Sequence, residues 1–356
     1  MAPVLTEDVQ GTINRVIAQY GLGSVLSVAQ EGSGVIHKTY RVDTAQGSFI
    51  CQQLNTSIFG SGLYALEFNY ERYVSAFSAT PELKGEWIVP AWQKATSGGY
   101  FFSDTDGSSW RVYGYIEGKT LPAVGEKSHL EQYAIGLSKI HFVLKHFEGQ
   151  PQPAIPQFHD LPFYYDEYMK ALGTQVPRKE NCHCVKTISD GISLALSVRT
   201  DINPCTIHGD PKTGNVILND KGKAIAFIDL DTFMYASKLL DIADSVRSIA
   251  NTAGEAPEDD SRVAFDKDSC EVFLHSYYTA PTYGLSKREE SELASVLLMI
   301  PFELGLRFYT DYLRGDTYFA VDYQEQNLHR AMCQFRLFED MRRKGLQGIV
   351  NKAFRR

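Results

Sequence analysis

A polar cluster followed by two short apolar runs is the feature that most constrains the fold of this chain. The cluster reads HGDPKTGN and begins at His208. The apolar runs VIL and AIAFI come next, separated by the turn sequence NDKGK. Two such runs around an Asn/Asp/Gly turn are typical of a β-hairpin, whose two ends lie side by side. We therefore expect Asp210 and Asn215, before the hairpin, to face Asp229 and Asp231, after it.

Carboxylates and an amide at this spacing suit phosphoryl transfer. The reaction needs a carboxylate to orient and deprotonate a hydroxyl, and oxygen ligands for the magnesium that neutralises the triphosphate. In kinase loops a metal-binding Asn follows the base Asp by five positions, and a separate loop supplies a metal-binding Asp. Asp210 and Asn215 have this spacing, and Asp229 is the separate Asp. Lys212 is expected to lie along the transferring phosphate and to act on it as a positive point charge. DPKTGN alone could be a surface turn, but its conjunction with the hairpin and IDLD favours a kinase.

The same residues resemble a known superfamily. HGDPKTGNVIL, followed by FIDLD and LLDIADSVR, resembles the aminoglycoside phosphotransferase and choline kinase superfamily. Within it, Asp210, Lys212 and Asn215, together with IDLDT, are similar to the N-acetylhexosamine 1-kinases. Three further stretches support this narrower resemblance, which covers most of the chain: FHDLPFYYDEY, ELGLRFYTDYLRGDTYF and NLHRAMCQFRLFEDM.

The resemblance implies an α+β, protein-kinase-like fold with two lobes. We expect a nucleotide-binding lobe with a small antiparallel sheet over residues 1–116 and a mainly helical catalytic and substrate-binding lobe over residues 117–356. The resemblance also implies ATP and Mg²⁺ as cofactors and a small-molecule acceptor. The narrower resemblance implies transfer to the anomeric hydroxyl of an N-acetylhexosamine, which gives a sugar 1-phosphate.

Composition limits the remaining classes of function. The formal net charge of −8 argues against a nucleic-acid or anionic-membrane surface. The N-terminal sequence lacks the basic and apolar regions of a signal peptide, and we expect no membrane-spanning segment. The cysteines are scattered, which predicts reduced thiols rather than a zinc site. We expect a cytoplasmic protein that is a monomer or a weak dimer.

Alternating apolar residues in the first third of the chain predict an antiparallel sheet with two helices. Gly32, Ser33 and Gly34 lie between the first two strands, where small residues let backbone N–H groups approach phosphates. A plain hairpin turn explains this tripeptide equally well, although its place in the small lobe favours a nucleotide lid. The expected helices are residues 6–20 and 63–77, and the expected strands are residues 24–30, 36–43, 48–54, 87–94, 99–103 and 110–115.

The third strand departs from the usual kinase pattern. Kinases place a Lys here to hold the α- and β-phosphates and pair it with a Glu of the next helix. Gln52 occupies this position, and it can donate hydrogen bonds but carries no charge. The N-acetylhexosamine 1-kinases that the chain resembles also lack this Lys. Lys38 on the preceding strand is an alternative cation, and Glu67 on the next helix is expected to contact magnesium through water or to be a solvated charge.

The segment VYGYIEG follows the last strand and is expected to form the hinge between the lobes. The kinase-like resemblance implies that backbone groups of Tyr115 and Ile116 bind adenine there. An ordinary linker is the alternative, but the position directly after the strand favours the hinge.

The later part of the chain has helical periodicity and contains the candidate acceptor contacts. The resemblance implies that Arg307 and Tyr318 bind the sugar, because Arg can hold a carbonyl or hydroxyl and Tyr can stack on a sugar face. The sequence alone favours a buried ion pair between Arg307 and Asp311 about as strongly. Asp210 would contact the acceptor hydroxyl, and Asp231 would help to bind metal or accept a hydrogen bond from a sugar hydroxyl.

Two other functions stay open from the sequence. The acceptor could be an aminoglycoside, choline, homoserine or a different sugar, since the net charge permits an acidic pocket. The missing strand Lys also fits a nucleotide-binding pseudokinase. The intact set of Asp210, Asn215 and Asp229 counts against a pseudokinase, which has no chemical need for all three.

Overall fold

The first part of the chain forms a five-stranded antiparallel sheet with the strand order β1-β2-β3-β5-β4. The computed structural model describes residues 7–31, 36–59, 62–121, 126–173, 180–254, 257, 260–282 and 284–355. The strands are β1 (Val25–Gln30), β2 (Lys38–Thr44), β3 (Gly47–Leu54), β4 (Phe101–Ser103) and β5 (Ser109–Gly114), and the helices of this part are α1 (Glu7–Gln19) and α2 (Tyr64–Ser78).

Alternation along the strands gives this sheet two apolar faces, because successive side chains point to opposite sides. On the outer face, Cys51 and Val112 pack with Ile17 of α1. On the other face, Ile50 and Tyr113 join the main core together with α2. The second face is the one that looks toward the rest of the molecule.

One predicted strand of this sheet, residues 87–94, is not formed. The backbone hydrogen bonds of this segment go to different partners. The N–H of Ile88 donates to the carbonyl of Ile225 at 2.7 Å, whereas that of Gln93 donates to β5 at 2.8 Å. Pro90 lies between them and has no N–H to donate to a ladder. The segment therefore links the sheet to the second part of the chain instead of adding a strand.

The rest of the chain is mainly helical and carries two small antiparallel sheets. β6 (Lys119–Thr120), β8 (Val216–Leu218) and β9 (Ala224–Phe227) form one sheet, and β7 (Cys205–Ile207) pairs with β10 (Met234–Ala236) in the other. The helices are α3 (Lys127–Leu144), α4 (Leu161–Gly173), α5 (Cys182–Leu196), α6 (Leu239–Ile249), α7 (Lys267–Thr279), α8 (Lys287–Leu313), α9 (Gln326–Lys344) and α10 (Leu346–Ala353).

Helix α8 lies at the centre of this helical part, where α4, α6 and α9 pack against it. A capping box between Ser286 and Glu289 satisfies the backbone groups at its start. Within the described part of the chain, α8 is the one helix that is long and apolar enough to cross a membrane. However, 78% of its apolar window is buried inside the protein, as in the core helix of a globular fold.

The chain changes from one sheet to the next between β5 and β6, where the expected hinge residues Tyr115 and Ile116 lie. A small sheet lobe followed by a helical lobe confirms the predicted α+β architecture. One apolar cluster continues across both parts, from Ile50 and Tyr113 to the helices. The division into separate domains at residue 116 stays a prediction.

Candidate active site

The predicted hairpin is formed by β8 and β9, and it brings the two polar segments together. Val216 pairs with Phe227 near its open end. There the N–H of Ile228 donates to the carbonyl of Asn215 at 2.8 Å. This backbone bond places Asn215 beside the start of the segment that contains Asp229.

Asp210 precedes the hairpin, and the ammonium of Lys212 lies beside its carboxylate. The Lys212 ammonium donates to Asp210 Oδ2 at 2.8 Å, and the Asn215 side-chain amide donates to the Asp210 carbonyl at 2.8 Å. Burial alone would raise the pKa of the Asp210 carboxyl, but the charge and hydrogen bond of Lys212 lower it below its usual range. Asp210 is therefore a carboxylate at neutral pH.

The backbone before Asp210 is held by a fully buried carboxylate, that of Asp241. It accepts the N–H groups of His208 and Gly209, both at 2.8 Å, and the Nε2–H of His141 at 2.9 Å. Gly209 has φ +89°, and a Cβ there would lie 2.3 Å from the carbonyl oxygen of Thr232. Only glycine fits this backbone position.

Asp229 follows β9 in a left-handed conformation, with φ 61° and ψ 60°. Such a conformation costs a residue other than glycine about 1–3 kcal/mol and persists only where neighbours hold it. His208 holds one side, because its Nε2–H donates to the carbonyl of Ile228 at 3.1 Å. Burial and the neighbouring Asp231 carboxylate raise the pKa of Asp229, and Lys212 only partly opposes them. A cation at Asp229 would relieve this repulsion.

Asn215 and Asp229 fit a magnesium ion that is shared with a nucleotide. The Asn215 amide nitrogen is occupied by Asp210, and its Oδ1 accepts no hydrogen bond from the described residues. Within the described ranges, no group of three or more His, Cys, Asp and Glu side chains could hold a metal by itself. Magnesium does not require one, because it is usually bound by one or two carboxylates together with substrate phosphates.

Asp231 lies behind Asp229, where side chains of the five-stranded sheet lobe hold it. Its Oδ1 accepts from Arg111 Nη1 at 2.5 Å, and its Oδ2 accepts from Arg111 Nη2 at 3.0 Å and from His37 Nε2 at 3.2 Å. Burial would raise the pKa of Asp231, but Arg111 and His37 hold it well below its usual range. With both oxygens occupied, Asp231 does not present a free carboxylate to metal or sugar.

Gln52 lies on the inner face of β3, where it is hydrogen-bonded on both sides. Its Oε1 accepts from Arg111 at 2.7 Å, and its Nε2 donates to Thr39 at 3.2 Å. Lys38 pairs in register with Gln53 and therefore points to the opposite face of the sheet. The alternative in which Lys38 replaces the missing cation is wrong for this geometric reason.

Tyr115 and Ile116, the expected hinge residues, lie beside β3, and the N–H of Tyr115 is already hydrogen-bonded. The N–H of Tyr115 donates to the carbonyl of Ser48 at 3.0 Å. The Tyr115 ring is covered by the guanidinium of Arg41, 4.1 Å from the ring centre. Ile116 makes no backbone hydrogen bond with the described residues.

Two further predictions concern nucleotide binding: Glu67 and the expected phosphate lid. Glu67 is half-buried in the first turn of α2, and it forms no ion pair with any residue that the structure describes. The expected phosphate lid, Gly32, Ser33 and Gly34, lies outside the described residues.

Arg307 projects from α8 into a group of aromatic rings. Its guanidinium lies 5.1 Å from the Phe158 ring, 4.9 Å from the Tyr164 ring and 5.6 Å from the Phe319 ring. No residue in the described part of the chain accepts a hydrogen bond from it. Burial would lower the pKa of Arg307, but Tyr164, Tyr318, Glu303 and Asp210 together raise it.

The alternative ion pair between Arg307 and Asp311 is not formed. Asp311 instead accepts the backbone N–H groups of Tyr318 and Phe319, each at 2.9 Å, and the side-chain amide of Asn327 at 3.0 Å. Asp311 therefore fixes the turn that presents Tyr318. The Tyr318 ring packs on that of Phe319, which lies beside Arg307.

His159 connects α8 to the loop that contains Asp210. Its Nδ1 is 2.9 Å from Glu303 Oε1, and its Nε2 is 2.9 Å from the carbonyl of Gly209. Both neighbours are acceptors, so the ring makes both bonds only when it is doubly protonated. Burial would lower the pKa of His159, and Arg307 acts in the same direction, but Glu303 and the Gly209 carbonyl raise it overall.

The sequence did not single out Arg111, His37 or Glu303. Arg111 carries the one detectable signal, since a charge inside the apolar strand SWRVYG requires a buried partner. The sequence could not name the partners of Arg111, which are Asp231 and Gln52. The strand register that sets Arg111 opposite Gln52 is a property of the tertiary structure. His37 and Glu303 have no local pattern that separates them from surface residues.

Comparison with known proteins identifies the family of the chain and the fold that it shares with solved structures. A family model described as "Phosphotransferase enzyme family" matches residues 27–270, more than half of the chain. The structure is similar to choline kinase LicA from Streptococcus pneumoniae, with 18% identity and a TM-score of 0.57 over 94% of this chain and 99% of that chain.

Two aminoglycoside phosphotransferases are also similar in structure. One is from Alicyclobacillus acidocaldarius, with 13% identity and a TM-score of 0.56 over 100% of this chain and 98% of that chain. The other is a thermostable mutant of APH(4)-Ia in a ternary complex with ADP and hygromycin B, with 12% identity and a TM-score of 0.58 over 94% and 99%. At these identities the similarity shows the fold, and it confirms the predicted kinase-like class. The closer resemblance to N-acetylhexosamine 1-kinases stays a prediction.

We expect His159→Gln to lower stability in a pH-dependent way. Because the pKa of His159 is raised in the folded state, its protonation stabilises the fold. This stabilisation is fully present below the ordinary pKa of histidine and is lost as the pH rises through the pKa of the folded state. The variant should be less stable than the unaltered protein by about 3 kcal/mol near pH 6, the scale for breaking a buried pair, and by less at higher pH. Urea unfolding across this range measures the difference.

His146→Gln is the matched control, because His146 is exposed and its ring bonds to just the carbonyl of Phe142 among the described residues. It should show no such trend. A stability difference for His159→Gln that is independent of pH would mean that His159 is neutral in the folded protein.

Proposed function

Because the chain belongs to the phosphotransferase enzyme family, we propose that it transfers the γ-phosphoryl group of ATP to a hydroxyl of a small molecule. The observation that carries the proposal is the grouping at the open end of one hairpin. There the backbone bond between Ile228 and Asn215 sets the Asp229 segment against the loop of Asp210. This grouping supports catalysis over a pseudokinase.

Asp210 is the proposed base. Its carboxylate accepts the proton of the acceptor hydroxyl while the hydroxyl oxygen bonds to the γ-phosphorus and the bond to the β,γ-bridging oxygen breaks. Lys212 is within reach of the same place, and its ammonium stabilises negative charge on the transferring group. ADP leaves with the bridging oxygen.

Asn215 and Asp229 are the proposed magnesium ligands. When bound with ATP, magnesium neutralises charge on the triphosphate and orients the β- and γ-phosphates. The carboxylate of Asp229 and the Oδ1 of Asn215, which accepts no hydrogen bond from the described residues, would supply oxygen ligands. The left-handed backbone of Asp229 fixes the direction of that carboxylate.

The nucleotide is proposed to bind between the sheet and the hairpin. The Tyr115 carbonyl and the Ile116 N–H are the hinge groups that we assign to adenine, since the Tyr115 N–H is already bonded. Gln52, Glu67 and the lid of Gly32, Ser33 and Gly34 remain proposals for the phosphate and metal side. Gln52 would act mainly through Arg111, to which it is bound.

The acceptor is proposed to be an N-acetylhexosamine, phosphorylated at its anomeric hydroxyl. Arg307 supports this choice, because its donors have no acceptor among the described residues and could hold the acetyl carbonyl or a sugar hydroxyl. Tyr318 and its neighbouring rings offer apolar faces for a sugar. Asp231 is not available as a sugar contact, because Arg111 and His37 occupy its oxygens.

A positively charged acceptor fits this pocket less well. Choline and aminoglycosides would meet the Arg307 guanidinium close to the reacting hydroxyl, and like charges repel strongly where water is excluded. Structures with those specificities share the fold of this chain, but at 18% identity or less. Homoserine remains an alternative acceptor, and so do other neutral sugars.

With ATP and magnesium, we expect transfer to an N-acetylhexosamine and formation of the 1-phosphate. The measurement is a screen of GlcNAc, GalNAc, glucose, galactose, choline, homoserine and kanamycin, with the phosphate position identified by phosphorus NMR. Transfer only to an acceptor bearing an amine would retain Asp210 as the base and refute the sugar assignment. Nucleotide binding without transfer to any acceptor would favour the pseudokinase.

We expect Asp210→Asn to keep nucleotide affinity and to lose turnover by about 10²–10⁴-fold, the usual contribution of a general base. Asp220→Asn is the matched control, because Asp220 is exposed in the turn of the same hairpin. The control should turn over normally. Steady-state kinetics and calorimetric titration with ATP measure both properties, and normal turnover of Asp210→Asn would disprove its role as the base.

We expect Arg307→Met to raise the KM for the acceptor by about 10- to 100-fold, the range for losing a charge-assisted hydrogen bond. The KM for ATP should change little. Arg314→Met is the matched control, since Arg314 is exposed at the end of the same helix and pairs with Glu167. If both variants have the same acceptor KM as the unaltered protein, Arg307 lies outside the acceptor site.

A further inference from the structure

Kinase-type enzymes hold the α- and β-phosphates with a cation on the third strand of the sheet. Here the third strand carries Gln52, and its direct partner on β5 is Arg111. We propose that Arg111 positions the magnesium-binding segment from the sheet lobe instead of contacting the phosphates. This inference rests on the proposed function, because it assumes that Asp229 binds magnesium.

The strand register determines where Arg111 points. Directly opposite residues of an antiparallel pair share one face, and Arg111 Nη2 donates to Gln52 Oε1 at 2.7 Å. The same guanidinium donates through Nη1 and Nη2 to the two oxygens of Asp231, at 2.5 and 3.0 Å. Two parallel bonds from a planar group fix both the distance and the orientation of the carboxylate.

A second side chain of the sheet lobe holds the same carboxylate. His37 Nδ1 accepts the N–H of Asn55 at 3.1 Å, so its Nε2 carries the proton and donates to Asp231 at 3.2 Å. His37 lies directly before β2, whereas Arg111 lies on β5. The sheet lobe therefore holds Asp231 from two separate segments, the residue before β2 and the strand β5.

Asp231 transmits this constraint to Asp229, two residues earlier. Ile228 accepts a hydrogen bond from His208 at its carbonyl and donates one from its N–H to the carbonyl of Asn215. The hairpin therefore fixes the chain before Asp229. The chain after Asp229 is fixed through Asp231. A left-handed Asp between two fixed points cannot relax to a more common conformation.

The surroundings of Arg111 argue against a direct phosphate contact. Its side chain is only 2% exposed, and its planar face covers the Trp92 ring at 4.4 Å. Its Nε has no hydrogen-bond partner among the described residues. Arg111 and Asp229 together line a cavity of about 10 Å³, which has room for about one water. The guanidinium therefore has no exposed face for a triphosphate.

A double-mutant cycle tests the proposal with Arg111→Met, Asp231→Asn and the double variant. One measurement is the affinity for Mn²⁺, a spectroscopic substitute for magnesium, followed by electron paramagnetic resonance with a non-hydrolysable ATP analogue present. The other is the affinity for the same analogue in EDTA, by calorimetry. Arg15→Met is the matched control, because Arg15 forms an ion pair with Asp104 in the same lobe at 2.9 Å.

We expect each single variant to bind Mn²⁺ about 10- to 100-fold more weakly, the usual effect of removing a residue that orients a metal ligand. The double variant should be no weaker than the worse single variant, because both changes break one interaction. Metal-free analogue affinity should stay at the value of the unaltered protein. The control should match the unaltered protein in both measurements.

Three results with the variants would overturn the proposal. Loss of metal-free analogue affinity in Arg111→Met would make Arg111 a phosphate ligand, and additive effects in the double variant would separate it from Asp231. Unchanged Mn²⁺ affinity would reduce the pair to a purely structural role. If a single variant does not fold, the double variant carries the test, because it buries no unpaired charge. Failure of the unaltered protein to bind the analogue with Mn²⁺ would refute the proposed function itself, and this inference with it.

Discussion

The pairing of β8 with β9 is the contact on which the candidate site depends. It closes with the bond from the Ile228 N–H to the Asn215 carbonyl, and this bond sets the segment of Asp229 against the loop of Asp210. The loop is held from behind by Asp241, which accepts two of its backbone N–H groups. Backbone hydrogen bonds, rather than contacts among the reactive side chains, therefore determine the geometry.

Buried charges fix the segments around this hairpin. Asp231 is held by Arg111, Asp241 by His141, and Glu303 by His159. Each of these bonds joins the site to a different element. A buried pair adds little net stability, since desolvation offsets its attraction, but removing one partner leaves a charge that the interior cannot solvate. These pairs therefore contribute mainly by allowing one arrangement of the site.

The sequence predicted the elements better than their partners. The hairpin and the α+β architecture follow from local turn chemistry and periodicity, and both are confirmed. The prediction of a strand over residues 87–94 was wrong, because Pro90 interrupts the ladder and the N–H of Ile88 bonds to the hairpin instead. Asp231 shows the same limit, since its position in IDLD says nothing about the Arg111 fork that occupies it.

The sequence by itself determined the family and the order of the reactive groups, since the five-residue spacing of Asp210 and Asn215 lies within one loop. The tertiary structure decided that Arg111 is the cation beside the proposed magnesium-binding segment. It also decided that Arg307 is the arginine whose donors meet no acceptor among the described residues. The physical reason is range. Turns and loops are set by hydrogen bonds between residues close in sequence, whereas the partner of a buried charge depends on strand register and on the packing of distant elements.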